Sequence, residues 1–242
     1  MKIEIVKYIF GAKPQKDCIP YKKEVPGRKE KEYFAIVDNH IISKLWESFG
    51  NHENSVGNWG GFETDEKYRR QGIGRQVLDF WYNDINNRND KPLAYFCTAG
   101  KQYLADLYKN YGFYPALKGT TYGYLYCPIG DSPKTFQDFC EQYYTDTDEL
   151  TFRKVDYDYR VEIDCLFKFA IADLGLSFSF NDVSSVSDWL EGERNGILEY
   201  IFTSSKKVVG WAYTPENSNE KQIIIFPKYK NLLKNNTNKF FE

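Results

Sequence analysis

The chain has 242 residues, which allows one large domain or two modest ones, each able to bury a core. Hydrophobic residues make up 42% and charged residues 27%, a composition that argues against disorder, and no apolar run approaches the roughly 18 residues of a membrane-spanning helix. The net charge of −2 gives no positive field to neutralise the phosphates of a nucleic acid. We therefore expect a cytoplasmic protein that has neither a membrane nor a nucleic acid as its partner.

The side chains that many enzymes use for covalent or metal chemistry are scarce. The two histidines, His40 and His52, lie outside any nucleophile motif such as G-x-S-x-G, which disfavours Ser-His and Cys-His catalysis. The five cysteines include no C-x-x-C pair, so we expect neither a disulfide framework nor a zinc site. They are Cys18, Cys97, Cys127, Cys140 and Cys165.

The chain begins with a strand and then loses its periodicity. In the first ten residues Ile3 and Ile5 alternate with charged residues, the period-two pattern of a half-buried strand. Residues 11–32 contain three prolines and seven lysines or arginines without regular spacing. We expect a long loop or short helical pieces there.

A hairpin and a fourth strand are predicted next. Apolar runs over 33–37 and 41–46 flank Asp38-Asn39, a dipeptide that tolerates positive φ and is typical of hairpin turns. A further strand is expected over 56–64.

After Gly72 the apolar residues recur every three or four positions, which predicts a helix that runs to about Asn87. The apolar residues of its buried face are Ile73, Val77, Leu78, Trp81 and Ile85. The apolar run over 92–98 predicts a strand buried on both faces. A second helix with Gly112 as its C-cap and a strand over 122–127 follow. The apolar face of this second helix comprises Leu104, Leu107, Tyr108 and Tyr111.

The order of these elements defines the fold class. A mostly antiparallel front followed by a strand, a helix and a strand predicts an α+β (or α/β) fold, with a mostly antiparallel central sheet and flanking helices. The acidic segment 141–150 is expected to be a linker between a domain over 1–140 and a smaller α+β domain over 150–242.

The second domain has a predicted order of elements that partly resembles the first. Its expected elements are a strand over 150–155, a helix over 157–174 capped by Gly175, a helix over 183–193, strands over 197–202, 208–213 and 222–226, and an Asn/Lys-rich tail. Segments 32–46 and 199–213 share a hairpin pattern, and each precedes a further strand and a K-Y-[RK] triplet. This similarity indicates either an internal duplication or two unrelated hairpins.

The segment that carries chemistry joins the predicted strand over 56–64 to the long helix and reads GFETDEKYRRQGIGRQVLDFW. Gly72 and Gly74 remove Cβ atoms that would block a ligand, so consecutive backbone N–H groups can face a phosphate. The helix N-terminus adds the positive end of its dipole, and Arg69, Arg70 and Arg75 add full charges. The sequence therefore predicts an anion site sized for a diphosphate.

The motifs YRRQGIG, at 68–74, and LYKNYGF, at 107–113, occur with one predicted strand between them. Together they resemble the GNAT superfamily of acyl-CoA-dependent N-acetyltransferases, the first its pyrophosphate-binding motif and the second its downstream helix. The resemblance covers roughly residues 1–130 and implies coenzyme A as the cofactor and acetyl-CoA as the co-substrate. The C-terminal region is similar to a truncated GNAT half that lacks the glycine turn.

The resemblance implies a set of coenzyme-binding residues. Those that would wrap the pyrophosphate, chiefly through backbone N–H groups, are Arg69, Arg70, Gln71, Gly72, Ile73, Gly74 and Arg75. Phe62, Glu63 and Thr64 would lie along the pantetheine, on a strand that diverges at a β-bulge and frees an N–H for the thioester carbonyl. Lys101 replaces an asparagine that is frequent in the family and would reach a coenzyme phosphate or point to water.

The resemblance also implies catalytic roles. Tyr108 matches the tyrosine that protonates the departing thiolate in many family members, and its alternative is core packing. Direct transfer needs a deprotonated amine, and Glu63 is the acid nearest to the predicted bulge. Where some relatives carry a glutamate base, this chain has Asn58. Further candidates for the base are Glu47, Glu53 and His52, whose ordinary interpretation is a surface position.

We therefore expect an N-acetyltransferase in which a primary amine attacks the thioester directly, without a metal or a covalent enzyme intermediate. A catalytically silent acyl-CoA-binding or interaction module is the alternative, favoured by Asn58. The acceptor, a small-molecule or peptide amine, and the oligomeric state are left open. Residues 150–242 would form either a lobe that helps to wall the acceptor site or an unrelated accessory domain.

Overall fold

A computed structural model describes residues 2–145, 149–180, 183–192 and 194–237. It is a mixed α+β protein with two sheets, which confirms the predicted fold class. The chain divides into two compact units. Unit 1 comprises Met1–Pro115 and Thr121–Ser132, and unit 2 comprises Ala116–Thr120 and Pro133–Glu242.

In the described part of the chain, unit 1 carries a seven-stranded mixed sheet. Its strands are β1 (Glu4–Ile9), β2 (Arg28–Val37), β3 (His40–Gly50), β4 (Gly57–Thr64), β5 (Ala94–Ala99), β6 (Tyr114–Pro115) and β7 (Gly123–Pro128). Its helices are α1 (Ile73–Asn87) and α2 (Gln102–Lys109), with a 3₁₀ turn at Glu66–Tyr68. The strand order is β1-β2-β3-β4-β5-β7-β6, and β4 and β5 are parallel whereas the other neighbours are antiparallel. The predicted strand, helix and strand crossover, β4-α1-β5, is therefore confirmed.

The predicted hairpin is present as β2 and β3. Its turn residues Asp38 and Asn39 have φ values of 47° and 62°, as a two-residue hairpin turn requires. Strand β2 begins at Arg28, five residues before the predicted start, and pairs with the second half of β3 as far as Gly50. The charged sequence of 28–32 hides this extension, because Lys31 is buried although its type predicts exposure.

The core of unit 1 lies between the sheet and α1. All five apolar residues predicted for the buried face of α1 are buried there. The predicted C-cap of α2 is also confirmed, since Gly112 has a φ of 85° and the N–H of Phe113 donates to the carbonyl of Tyr108.

Unit 2 contains a four-stranded antiparallel sheet in its described residues, in the order β11-β10-β9-β8. The strands are β8 (Leu150–Lys154), β9 (Ile197–Thr203), β10 (Val208–Thr214) and β11 (Gln222–Ile225). The helices are α3 (Phe136–Tyr143), α4 (Lys168–Asp173), α5 (Val186–Glu191) and α6 (Lys230–Thr237), with a π-helical segment at Glu162–Phe167 and a 3₁₀ turn at Pro227–Tyr229. The four predicted strands are confirmed.

Three expectations for unit 2 need correction or restriction. The predicted linker 141–150 begins inside α3, whose N-terminus is capped by Thr135, and its residues 146–148 lie outside the described residues. The predicted tail begins with α6, and 238–242 are not described. The predicted helix over 183–193 is shorter, as α5, and position 193 lies outside the described residues.

The predicted helix over 157–174 ends as expected at Gly175, where the N–H of Leu176 donates to the carbonyl of Ile171. It begins at Arg160 rather than at 157, and its segment Glu162–Phe167 is π-helical rather than α-helical. The wider turn brings the Asp164 carboxylate to the start of α5, where it accepts the N–H groups of Val186 at 2.7 Å and Ser187 at 2.9 Å.

The two units share a local order of elements. Strands β1 to β4 and strands β8 to β11 are each consecutive and antiparallel. Both K-Y-[RK] triplets begin in the 3₁₀ turn that follows the last of these strands and precedes a helix. This shared order is what an internal duplication predicts. No helix in the described residues is long and apolar enough to cross a membrane.

Candidate active site

Strands β4 and β5 pair only at one end. The parallel partners are Gly57 with Tyr95 and Asn58 with Phe96. Strand β4 then continues to Thr64 with β3 as its partner among the described strands. The edge of β4 that faces β5 therefore offers backbone N–H and C=O groups without a strand partner, as at the edge of a sheet.

A β-bulge lies in β4 along this split. The register between β3 and β4 shifts so that two residues, Gly61 and Phe62, oppose Leu45. Gly61 has a φ of 60°, and a Cβ atom there would lie 2.3 Å from Cδ1 of Trp46. Glycine is therefore required at this position. The split and the bulge both agree with what the family resemblance implies for this strand.

The turn before α1 is open to a ligand. Arg70 and Gly72 have φ values of 63° and 75°, and nothing lies within 4 Å of a Cβ built on Gly72. Gly72 is the N-cap of α1 and supplies no side-chain hydrogen bond, so the first N–H groups of the helix are left for water or an anion.

Gly74 has a packing role, and its contact with a pyrophosphate stays a prediction. A Cβ there would lie 2.9 Å from both Cζ of Phe62 and Oγ1 of Thr64. Its missing side chain therefore lets α1 approach β4 closely, whereas Gly72 leaves the space next to the turn open. Ile73, between them, is buried in the core.

The polar side chains of the turn are all exposed, and two of them are hydrogen-bonded to the backbone. Nε of Arg69 donates to the carbonyl of Thr64 at 2.9 Å, and Nε2 of Gln71 donates to the carbonyl of Lys67 at 3.1 Å. Arg70 and Arg75 are exposed. Among the described arginines of the turn, these two therefore have guanidinium groups that are not hydrogen-bonded to the backbone.

Arg69 lines a cavity of about 320 Å³ on the β3 side of β4. The cavity is bounded by the first residues of β3, the last residues of β4 and Asp65. Lys44 and Glu63 form an ion pair at its wall, with 2.8 Å between Nζ and Oε1. The Glu63 side chain is 65% exposed.

Tyr108 lies beside the split. Its side chain is 5% exposed, and its ring makes an edge contact with Trp59, at 4.8 Å between centroids, and with Phe62 at 6.1 Å. Burial, and then the nearby Cys97 of β5, raise the pKa of Tyr108, so the hydroxyl keeps its proton at neutral pH. Among the described residues no group hydrogen-bonds this hydroxyl, so it can serve a ligand.

Lys101 is the N-cap of α2, directly after β5, and is exposed. Because β4 and β5 are parallel, their C-terminal ends lie at the same edge of the sheet. Lys101 and the turn at Gly72 therefore belong to one edge.

Glu47 is not a candidate base. It is fully buried, and one carboxylate oxygen accepts Nε1 of Trp81 and the hydroxyl of Tyr95, each at 2.8 Å. The other oxygen lies 2.5 Å from Nη2 of Arg88 and 3.9 Å from Nζ of Lys31. These contacts make Glu47 the centre of a structural charge cluster. Sequence patterns could not show this, because its partners come from distant segments.

Of the other two candidates, Glu53 is exposed, and Nδ1 of His52 lies 2.9 Å from the carbonyl of Glu53. Trp59, which no sequence motif indicates, is 2% exposed and follows the last β4–β5 pair directly. Because tryptophan is a large apolar residue, the sequence predicts only that it is buried in the core. No group of three or more His, Cys, Asp or Glu residues in the described ranges is placed to hold a metal ion.

Comparisons with known proteins find similarity to solved structures. No protein-family model matches the sequence, and no curated protein matches it. The chain is similar to a GNAT-family acetyltransferase from Staphylococcus aureus Mu50, with 16% identity and a TM-score of 0.33 over 42% of this chain and 68% of that one.

Two further similar structures contain the coenzyme. One is a GNAT-family N-acetyltransferase from Escherichia coli in complex with CoA, 20% identical, with a TM-score of 0.33 over 42% of this chain and 59%, less than two thirds, of that one. The other is a GNAT-family acetyltransferase from Elizabethkingia anophelis with acetyl-CoA bound, 17% identical, with a TM-score of 0.34 over 52% and 98%. At such identities and TM-scores the alignments carry no statement about the activity or substrate of this chain.

Proposed function

We propose that the chain is an N-acetyltransferase that transfers an acetyl group from acetyl-CoA to a primary amine. The observation that supports this most is that one strand, β4, combines three features: a split from β5, a glycine bulge along the split, and an uncapped positive-φ turn at its end. An extended ligand with a diphosphate at one end matches this order of strand edge and anion site.

The chain's residues fit coenzyme A. The first N–H groups of α1 and the exposed Arg70 and Arg75 would hold the pyrophosphate, with Lys101 at the same sheet edge. The free edge of β4 over 62–64 would pair with the amide groups of the pantetheine. When bound, acetyl-CoA supplies an activated acetyl thioester.

Two groups of the chain would then act on the reaction. A backbone N–H freed at the bulge beside Gly61 would stabilise negative charge on the acyl oxygen, because a fixed donor needs no reorganisation there. The Tyr108 hydroxyl, which is protonated and has no hydrogen-bond partner among the described residues, would donate its proton to the departing thiolate.

Glu63 is the proposed base for the amine, directly or through water. It follows the bulge and is accessible, unlike the fully buried Glu47. A Glu63→Gln variant should lose turnover while retaining affinity for acetyl-CoA, whereas the exposed Glu53→Gln should resemble the wild type.

A silent acyl-CoA-binding module remains the second candidate, since Asn58 at the vertex of the split cannot act as a base. A thiol-release assay with acetyl-CoA over a panel of amines and peptides separates the two. An N-acetyltransferase releases CoA thiol in an amine-dependent way, with one acetyl product per thiol. Amine-independent background over the whole panel, with acetyl-CoA binding intact, would favour the silent module.

A further inference from the structure

The indole N–H of Trp59 is a buried donor without a partner. The side chain is only 2% exposed, and its Nε1 is inaccessible to solvent. No described residue offers this N–H a hydrogen-bond acceptor. By contrast, Nε1 of Trp81, whose ring centroid is 5.5 Å away, donates to Glu47 at 2.8 Å. Buried polar groups in folded proteins are nearly always satisfied, so the exception at Trp59 points to an acceptor other than the described residues.

Trp59 stands at the vertex of the split. It comes directly after Asn58, the last residue of β4 that pairs with β5. Its ring contacts Tyr108 edge-on at 4.8 Å, Phe113 at 5.0 Å and Phe62 at 6.4 Å. Two uncommitted donors, the Trp59 N–H and the Tyr108 hydroxyl, therefore lie on adjacent rings in an otherwise apolar setting.

The two donors and the surrounding aromatic rings determine which kind of ligand atom can bind beside Trp59. Both groups can donate, and the surrounding rings offer no strong acceptor or donor of their own. A ligand atom that enters here must accept a hydrogen bond and must sit on a small, largely apolar group. A thioester carbonyl meets both conditions, whereas a free thiol presents only a weak acceptor.

We infer that the indole N–H of Trp59 donates a hydrogen bond to the acyl oxygen of the thioester, and so distinguishes acetyl-CoA from CoA. The inference rests on the proposed function, because Tyr108 faces the sulfur in that proposal and the acyl carbon is bonded to that sulfur. Trp59 would act as an acyl-binding residue, in addition to the backbone N–H at the bulge.

The test is a titration of the ¹⁵N-labelled, full-length protein, followed through its indole N–H resonances. The Trp59 resonance is assigned from its absence in Trp59→Phe or, if that variant does not fold, from its nuclear Overhauser contacts to the Tyr108 ring. Acetyl-CoA should move this resonance downfield, and CoA should move it much less. The Trp81 resonance, already bonded to Glu47, should respond little to either ligand and serves as the internal control.

Calorimetry gives a second readout. Trp59→Phe should weaken acetyl-CoA binding about 3- to 10-fold, the effect of one neutral hydrogen bond, and leave CoA binding unchanged. Trp81→Phe should lower stability without changing the preference for acetyl-CoA. A Trp59 resonance that responds equally to both ligands, or not at all while acetyl-CoA binds, overturns the inference. Failure of the wild type to bind either ligand would overturn the proposed function instead.

Discussion

Tyr108 and Tyr111 form a natural comparison at the scale of single residues. Both are buried and both have a raised pKa, chiefly because of burial. The Tyr111 hydroxyl donates to Asp79 at 2.7 Å, whereas no described group bonds the Tyr108 hydroxyl. One hydroxyl thus has a structural bond and the other is left for a ligand.

We predict that Tyr108→Phe lowers kcat about 10- to 1000-fold, because the thiolate loses its proton donor. The melting temperature and the affinity for the coenzyme should hardly change. Tyr111→Phe should show the opposite pattern, with kcat kept and about 1 kcal/mol of stability lost with its hydrogen bond. Steady-state kinetics and thermal unfolding of both variants check this, and equal losses of stability would favour core packing as the role of Tyr108.

Glu47 carries a second prediction. Glu47→Gln removes the charge that faces the buried Arg88 and Lys31, so the free energy of unfolding should fall by about 3–5 kcal/mol. The folded fraction should still bind acetyl-CoA, since Glu47 lies in the structural cluster. Urea denaturation measures the loss, with Glu53→Gln as the exposed control. A fully stable Glu47→Gln protein without turnover would restore Glu47 as a catalytic residue.

At the scale of elements, the π-helical segment and α5 are joined by Asp164. Burial raises the pKa of the Asp164 carboxyl to about 6, although Arg160, 3.6 Å away, and two backbone N–H groups act in the opposite direction. In the unfolded chain an aspartate titrates near pH 4. Between these values the folded state holds a proton that the unfolded state has released.

The contribution of this carboxyl to stability is therefore complete below about pH 4 and is lost as the pH rises through about 6. A difference of about two pKa units corresponds to about 3 kcal/mol. Relative to Asp164→Asn, the wild type should thus gain about that much free energy of unfolding between about pH 7 and about pH 4. Urea denaturation of both proteins at the two pH values tests this, and a pH-independent difference would contradict it.

Elements with a clear period were predictable from the sequence, and those defined by distant partners were not. The face of α1 and the Asp38-Asn39 hairpin follow from local spacing and turn chemistry. The early start of β2 depends on burying Lys31 against Glu47 and Asp90, residues that no local window contains. The π turns at Glu162–Phe167 likewise depend on packing, because they share the apolar spacing of an α-helix.

The candidate site was predictable to a similar degree. The motif located the turn, and the resemblance implied the split and the bulge, which the structure contains. It did not indicate that Gly74 serves the packing of α1 on β4, or that Trp59 keeps an unpaired donor. Both properties depend on distances between atoms of different elements.

At the scale of the whole molecule, the chain has two units. Unit 1 contains the split sheet and the glycine turn. The strands of unit 2 follow the same consecutive antiparallel order as β1 to β4, but no glycine turn follows them in the described residues. Since no glycine turn follows β11 in the described residues, we predict that unit 2 does not bind a diphosphate by the same means. Whether unit 2 shares in acceptor binding stays a prediction. The proposed function therefore predicts that each chain binds one molecule of coenzyme.

The most direct test of the account is calorimetric titration of acetyl-CoA into the wild type and two glycine variants. Gly72 and Gly119 both have a φ of 75° and open space at the Cβ position, but only Gly72 belongs to the turn before α1. Tryptophan at either site therefore meets the same backbone strain. We predict micromolar binding of one acetyl-CoA by the wild type and by Gly119→Trp, and no binding by Gly72→Trp. Wild-type affinity in Gly72→Trp, or no binding by the wild type, would contradict the account.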